Sequence, residues 1–184
     1  GFSNTTGYSN TFIGTDCGKL NIVGTDNAFF GNNSGHNNKA SFNTFIGIYS
    51  GYTNESGSGN TFIGCRSGNN NTSGSINTFV GRDSGRYNTI GYGNTFIGDH
   101  TGHVNTIGME NTFVGKDAGY HNDASQNTFI GYNSGLNNTS GRYNTNIGNN
   151  CAVLNTLGEQ NTIIGHGSGY HNTKNHNTFV GTNS

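Results

Sequence analysis

Residues able to do chemistry are scarce in this chain: three Cys, seven His and nine Asp plus Glu among 184 residues. The cysteines, Cys17, Cys65 and Cys151, are odd in number and show no CxxC spacing, so they offer neither a zinc knuckle nor an obvious disulfide framework. His100, His103, His121 and His171 fall at different places in the local pattern, which gives no common ligand set. Asp16, Asp83 and Asp117 share one place but stand far apart in the chain. Paired-carboxylate chemistry needs two such groups a few ångströms from each other. The Gly-containing corners lack the following helix that a phosphate loop requires. Asn-x-Ser/Thr sequons occur at Asn4, Asn32, Asn54, Asn70, Asn71, Asn137 and Asn138, but most arise because Asn-Thr is part of a repeated unit. The sequence therefore points to no catalytic residue, no metal ligands and no cofactor.

The repeated unit organises everything else. Asn10, Asn27, Asn43, Asn60, Asn77, Asn94, Asn111, Asn127, Asn144, Asn161 and Asn177 each open a copy, at a spacing of 17 residues or, three times, 16. A unit this short holds two strands and two turns but not two helices, which predicts an all-β, parallel β-solenoid with eleven stacked coils of two short strands each over 1–184. A second Asn recurs within the copies at Asn21, Asn38, Asn54, Asn71, Asn88, Asn105, Asn122, Asn138, Asn155 and Asn172, with Asn4 at the same place before the first full copy. Both Asn columns are expected to form ladders, their stacked amides bonding to the coils above and below.

After the opening Asn comes Thr, then an aromatic, an aliphatic and Gly, a β-rich run closed by a turn residue. The aromatic is Phe at Phe12, Phe29, Phe45, Phe62, Phe79, Phe96, Phe113, Phe129 and Phe179, with Asn146 and Ile163 as exceptions. The next residue is Ile or Val except at Phe30. Side chains alternate along a strand, so Thr and Ile share one face and Phe the other. Because the Ile position is never polar and the Phe position once accepts Asn, Thr and Ile are expected inside. Phe then forms an outer stripe that needs another chain to cover it. Alternation also admits the opposite arrangement, Phe inside and Thr outside. The 16-residue copies lose one residue, and its Gly, at the second corner, where a deletion leaves strand register intact.

Composition narrows the function. With 32 Gly, no Pro or Trp and 9% charged residues, the chain has a thin core and relies on its ladders. A net charge of −1 gives no electrostatic reason to expect nucleic acid, and no apolar run approaches the ~18 residues of a membrane span. Charges and all nine Tyr lie at variable places in the copy, which dresses the corners for solvent. Cys17 and Cys151 lie eight copies apart, about 38 Å at ~4.8 Å per coil, too far for a bond within one straight solenoid. Ser184 is followed in pattern by Gly1, so head-to-tail stacking into a filament, or membership of a longer array, is expected.

The NTFIG, NTFVG and NTIIG runs followed by a small corner residue resemble the head repeats of YadA-like trimeric autotransporter adhesins, and are similar to NTAIG-type repeats of bacterial surface proteins and phage tail fibres. That resemblance implies a left-handed parallel β-roll, association of three chains, and a mid-motif residue, here Phe12 and its equivalents, facing neighbouring chains. Departures are Phe where the family has Ala, and a longer repeat. Together these features predict a structural or adhesive extracellular or cell-surface fibre that self-associates through the Phe stripe and by end-to-end stacking, as a homotrimer or filament. The alternative is a receptor- or glycan-binding adhesin or tail-fibre head. A third class, an ice-binding solenoid, is suggested by Thr after the opening Asn in every copy but that of Ala28; its neighbouring same-face column is Ile rather than a second Thr.

Overall fold

A computed structural model describes all 184 residues as one parallel β-solenoid. Each copy contributes one three-residue strand: β1 Thr11–Ile13, β2 Ala28–Phe30, β3 Thr44–Ile46, β4 Thr61–Ile63, β5 Thr78–Val80, β6 Thr95–Ile97, β7 Thr112–Val114, β8 Thr128–Ile130, β9 Thr145–Ile147, β10 Thr162–Ile164 and β11 Thr178–Val180. The strands form a single sheet in chain order, every neighbour parallel. Register never slips, so Thr78 lies beside Thr95, Phe79 beside Phe96 and Val80 beside Ile97. It also survives the 16-residue copies, where Phe29 still meets Phe45 and Phe113 still meets Phe129. Their missing residue comes out of the turn after the second Asn: Asn38 there donates to the Ala40 carbonyl two residues on, where Asn54 donates to Gly57 three residues on.

The interior is the reverse of the expected one. Phe29, Phe45, Phe62, Phe79, Phe96, Phe113 and Phe129 are wholly buried, and Phe12 and Phe179, in the outer coils, partly so. Thr and Ile face outward, with Ile97 41% and Ile13 59% exposed. Hence the nine Phe form no self-association stripe. The physical reason is twofold. A Phe ring buries about 150–250 Å² with no polar atom, whereas turning the other face inward would bury a Thr hydroxyl in every coil along with the Ile. The coil repeat also places successive rings 4.7–4.9 Å apart, within the range for stacked aromatics. Asn146, the polar exception that argued for an outer Phe face, is itself wholly buried.

The expected second strand is absent. The segment after the second Asn bends, because the Asn88 amide pulls in the Gly91 carbonyl at 3.0 Å. Thr72, Ser73 and Gly74 N–H then converge on one acceptor, the Thr89 carbonyl, at 2.9, 3.0 and 3.2 Å, which is not a ladder. Most stacking bonds lie outside strands: only 20 of 114 backbone hydrogen bonds fall within them. The corners therefore carry much of the axial cohesion.

Four positions of the coil hold a positive φ, those of Ile76, Gly81, Asp83 and Gly85. One is filled by Gly59 and Gly93 in two coils, but by Ile76 in the coil between, at φ 58° and 71% exposed. A β-branched residue is strained there and Asn is not. Ile76→Asn is expected to raise unfolding free energy by about 1 kcal/mol, measured by urea denaturation against the parent chain.

Candidate functional surfaces

Four side-chain columns fill the cross-section: the opening Asn, the Phe, a small residue such as Ser67 or Ser84, and the second Asn. The two Asn columns meet on one carbonyl per coil. Asn77 Nδ2 and Asn88 Nδ2 both donate to Gly91 O, at 2.8 and 3.0 Å. Asn77 Oδ1 accepts the Asn94 backbone N–H at 2.9 Å, and Asn71 Oδ1 accepts from Asn88 Nδ2 at 2.7 Å. The same pattern runs from Asn10 to Asn177 in the first column. These amides satisfy backbone groups that lie too deep for water, which such groups require to be stable. Asn54, Asn71 and Asn138 are wholly buried, so the sequons that they open are closed to modification in the folded chain.

The small column bonds inward as well. Ser67 Oγ donates to Phe79 O at 3.0 Å, and Cys17 and Cys151 place Sγ 3.2 Å from the Phe29 and Ile163 carbonyls. Both thiols are buried, whereas Cys65 is exposed. Burial pushes the Cys17 thiol above its ordinary value and that of Cys151 up to about 11. An aromatic disulfide reagent is expected to titrate Cys65 alone in the native chain, and all three thiols in denaturant. The stability tied to Cys151 is full below the free-thiol range and falls as pH rises from there toward about 11, because the unfolded thiol ionises first.

Charge is concentrated on one corner of the coils from Arg66 to His121. Arg66, Asp83, His100 and Asp117 occupy successive rungs of one column, and Arg82, Asp99 and Lys116 of the next. Arg66 reaches Asp83 at 2.7 Å, and Arg82 grips Asp99 through two bonds of 2.8 and 3.0 Å. His100 lies 3.6 Å from Asp83, 3.2 Å from Asp99 and 3.9 Å from Asp117. Like charges one coil apart would repel, and the Arg82, Asp99 and Lys116 column avoids this by alternating in sign. Asp83 is 1% exposed and is also approached by Arg86 at 3.4 Å. The hydrogen bond from Arg82 holds the Asp99 carboxyl below its usual range.

Comparison with protein-family models, curated proteins and solved structures returned no match.

Aromatic side chains adjoin these charges. His103 stacks on Tyr120 with centroids 4.8 Å apart and meets Tyr87 edge-on at 5.1 Å. Its Nδ1 lies 3.2 Å from the Asp83 carbonyl, and burial pushes its imidazole below the ordinary value. Arg86 lies over the Tyr87 ring. The sequence scattered these groups over separate copies; the coil rise brings His100 between Asp83 and Asp117. A column-by-column alignment of the copies carries that information, since all three occupy the same place in the repeat. No group of three or more His, Cys, Asp or Glu is placed to hold a metal ion, and no helix is long and apolar enough to cross a membrane. The one cavity is an open step beside Tyr170, His171 and Phe179.

The third surface is the outer face of the sheet. It presents one column of Thr, interrupted only at Ala28, beside one of Ile, Val and Phe30, with no charged residue in either. Behind it, successive buried rings from Phe29 to Phe129 lie within 4–7° of parallel, so the packing under this face repeats from coil to coil.

Proposed function

We propose that the chain is a structural, adhesive segment of an extracellular or cell-surface fibre. What supports this is the unbroken register of the sheet across all eleven strands. Neighbouring coils meet through the same kind of backbone bonds and amide ladders, and from Phe12 to Phe129 through one ring stack, which makes a rod that grows along one axis. Coils add along the axis without changing the cross-section, so copies that assemble do so by continuing the stack. Electron microscopy of purified protein tests the proposal: straight rods or filaments one coil wide are expected, with an axial repeat of ~4.8 Å. Flexible or compact particles at every concentration would sink it.

A second reading makes one corner a receptor- or glycan-binding surface. The observation behind it is the clustering of Tyr87, His103, Tyr120 and His121 with Arg82, Asp99 and Lys116 on adjacent coils. Aromatic faces flanked by bidentate polar groups suit sugar rings. Glycan-array binding that Tyr120→Ala abolishes supports it, and a blank array removes it.

A further inference from the structure

We infer that the Thr and Ile face binds ice. Ten Thr hydroxyls stand on it in one straight rank, half-exposed or exposed. None bonds to another group of the chain. That sets them apart from the Thr residues of the bend, since Thr72 and Thr89 donate to the Thr89 and Thr106 carbonyls of the next coil. It also sets them apart from Thr101, which donates inward to Gly115. A hydroxyl is both donor and acceptor, and these are held at the ~4.8 Å pitch of the sheet. That pitch is close to the spacing of water oxygens along a row of hexagonal ice. Beside the hydroxyls runs an apolar rank, from Ile13 to Val180 with Phe30 in it, whose contact with liquid water is itself unfavourable. Register carries the argument from a few residues to the whole face: Thr lies beside Thr in eight of the ten strand pairs.

A second copy of the chain fits the face less well. Ten rises of ~4.8 Å by about 7 Å between the two ranks make about 350 Å², well short of the roughly 800 Å² that each partner of a stable pair buries. Pairing would also bury hydroxyls against aliphatic side chains, at about 1–3 kcal/mol for each one left without a partner. A charged ligand finds no counter-charge there.

The test is thermal hysteresis and capture by a growing ice hemisphere, made on the whole chain. The parent protein is expected to enter the ice and to depress its growth temperature. Thr95→Tyr, in the middle of the rank, is expected to lose at least half of that hysteresis with an unchanged unfolding midpoint, and Thr112→Lys serves if the first variant folds poorly. Ile90→Tyr, exposed on a different side, is expected to leave activity unchanged. Exclusion of the folded parent from ice overturns the inference. So does equal hysteresis in parent and rank variants, or sedimentation as a dimer that Thr95→Tyr dissociates, which assigns the face to a second copy. None of these outcomes depends on whether rods are seen by microscopy.

Discussion

Gly81→Ala is expected to lose about 3 kcal/mol or more of unfolding free energy, a large fraction of the ~5–15 kcal/mol typical of a folded domain. Gly81 has φ 134°, and a Cβ built on it would lie 2.2 Å from the carbonyl oxygen of Gly98 in the next coil. Both obstacles are backbone. A side chain cannot turn away from a carbonyl that is itself locked in the axial bonding, so the two coils must separate or the turn must refold. Gly93→Ala is the control that divides the two causes. Its φ is 66°, a left-handed value, but its nearest neighbour atom is Glu110 Cγ at 3.7 Å. Conformational strain alone then costs about 1 kcal/mol. Chemical denaturation of both variants should show the first loss at least twice the second; equal losses would mean that coil-to-coil contact at Gly81 is softer than its geometry implies.

The second large effect concerns a fault in the core. In one coil Phe is replaced by Asn146, wholly buried, with neither side-chain Nδ2 nor Oδ1 bonded to anything. The same coil carries Ala152 where the other complete coils have Gly, in a left-handed conformation at φ 51°. These two departures belong together. In the coil before, a Cβ on Gly135 would meet the Phe129 ring at 2.6 Å, so a ring and a methyl cannot share that space. Asn146→Phe alone should therefore gain nothing, with burial of the ring and loss of the unsatisfied amide offset by overpacking against Ala152, each of about 1–3 kcal/mol. Ala152→Gly alone relieves strain but enlarges a void and should be near neutral. Together they are expected to stabilise the chain by about 2–4 kcal/mol, with a coupling energy of at least ~1 kcal/mol. Additive single and double variants in a denaturation cycle would refute the linkage.

That pair also explains what could be read from the chain before its structure was in hand. The period, the strand at Thr-Phe-Ile and the tolerance of a corner for deletion follow from spacing alone, because they depend on local backbone geometry. The choice of inner face does not, since alternation is blind to which side closes. The polar Asn146 tipped that choice the wrong way. Read jointly with Ala152 it points correctly: Gly is lost only where Phe is lost, which places the ring against the Gly and so inside. The missing second strand was hidden for another reason. Asn-Thr-Ile-Gly looks like a strand by propensity, but the side-chain amide of each second Asn captures a carbonyl two or three residues on and bends the segment. Propensity does not count that bond. The rungs of charge from Arg66 to Asp117 become legible only when the copies are aligned column by column, Arg66 and His100 included, because the coil turns 17 residues into one step.

The three short coils have a bearing on how such a chain can change over generations. Each begins and ends its loop at backbone positions equivalent to those of a 17-residue coil, and the neighbours on either side keep their register. A duplication or loss of one whole unit in the gene would thus lengthen or shorten the rod by a single step and leave every remaining contact as it was. Length becomes a trait that can drift or be selected independently of shape, and a slip of one codon inside the second turn is survivable where the same slip in the strand is not.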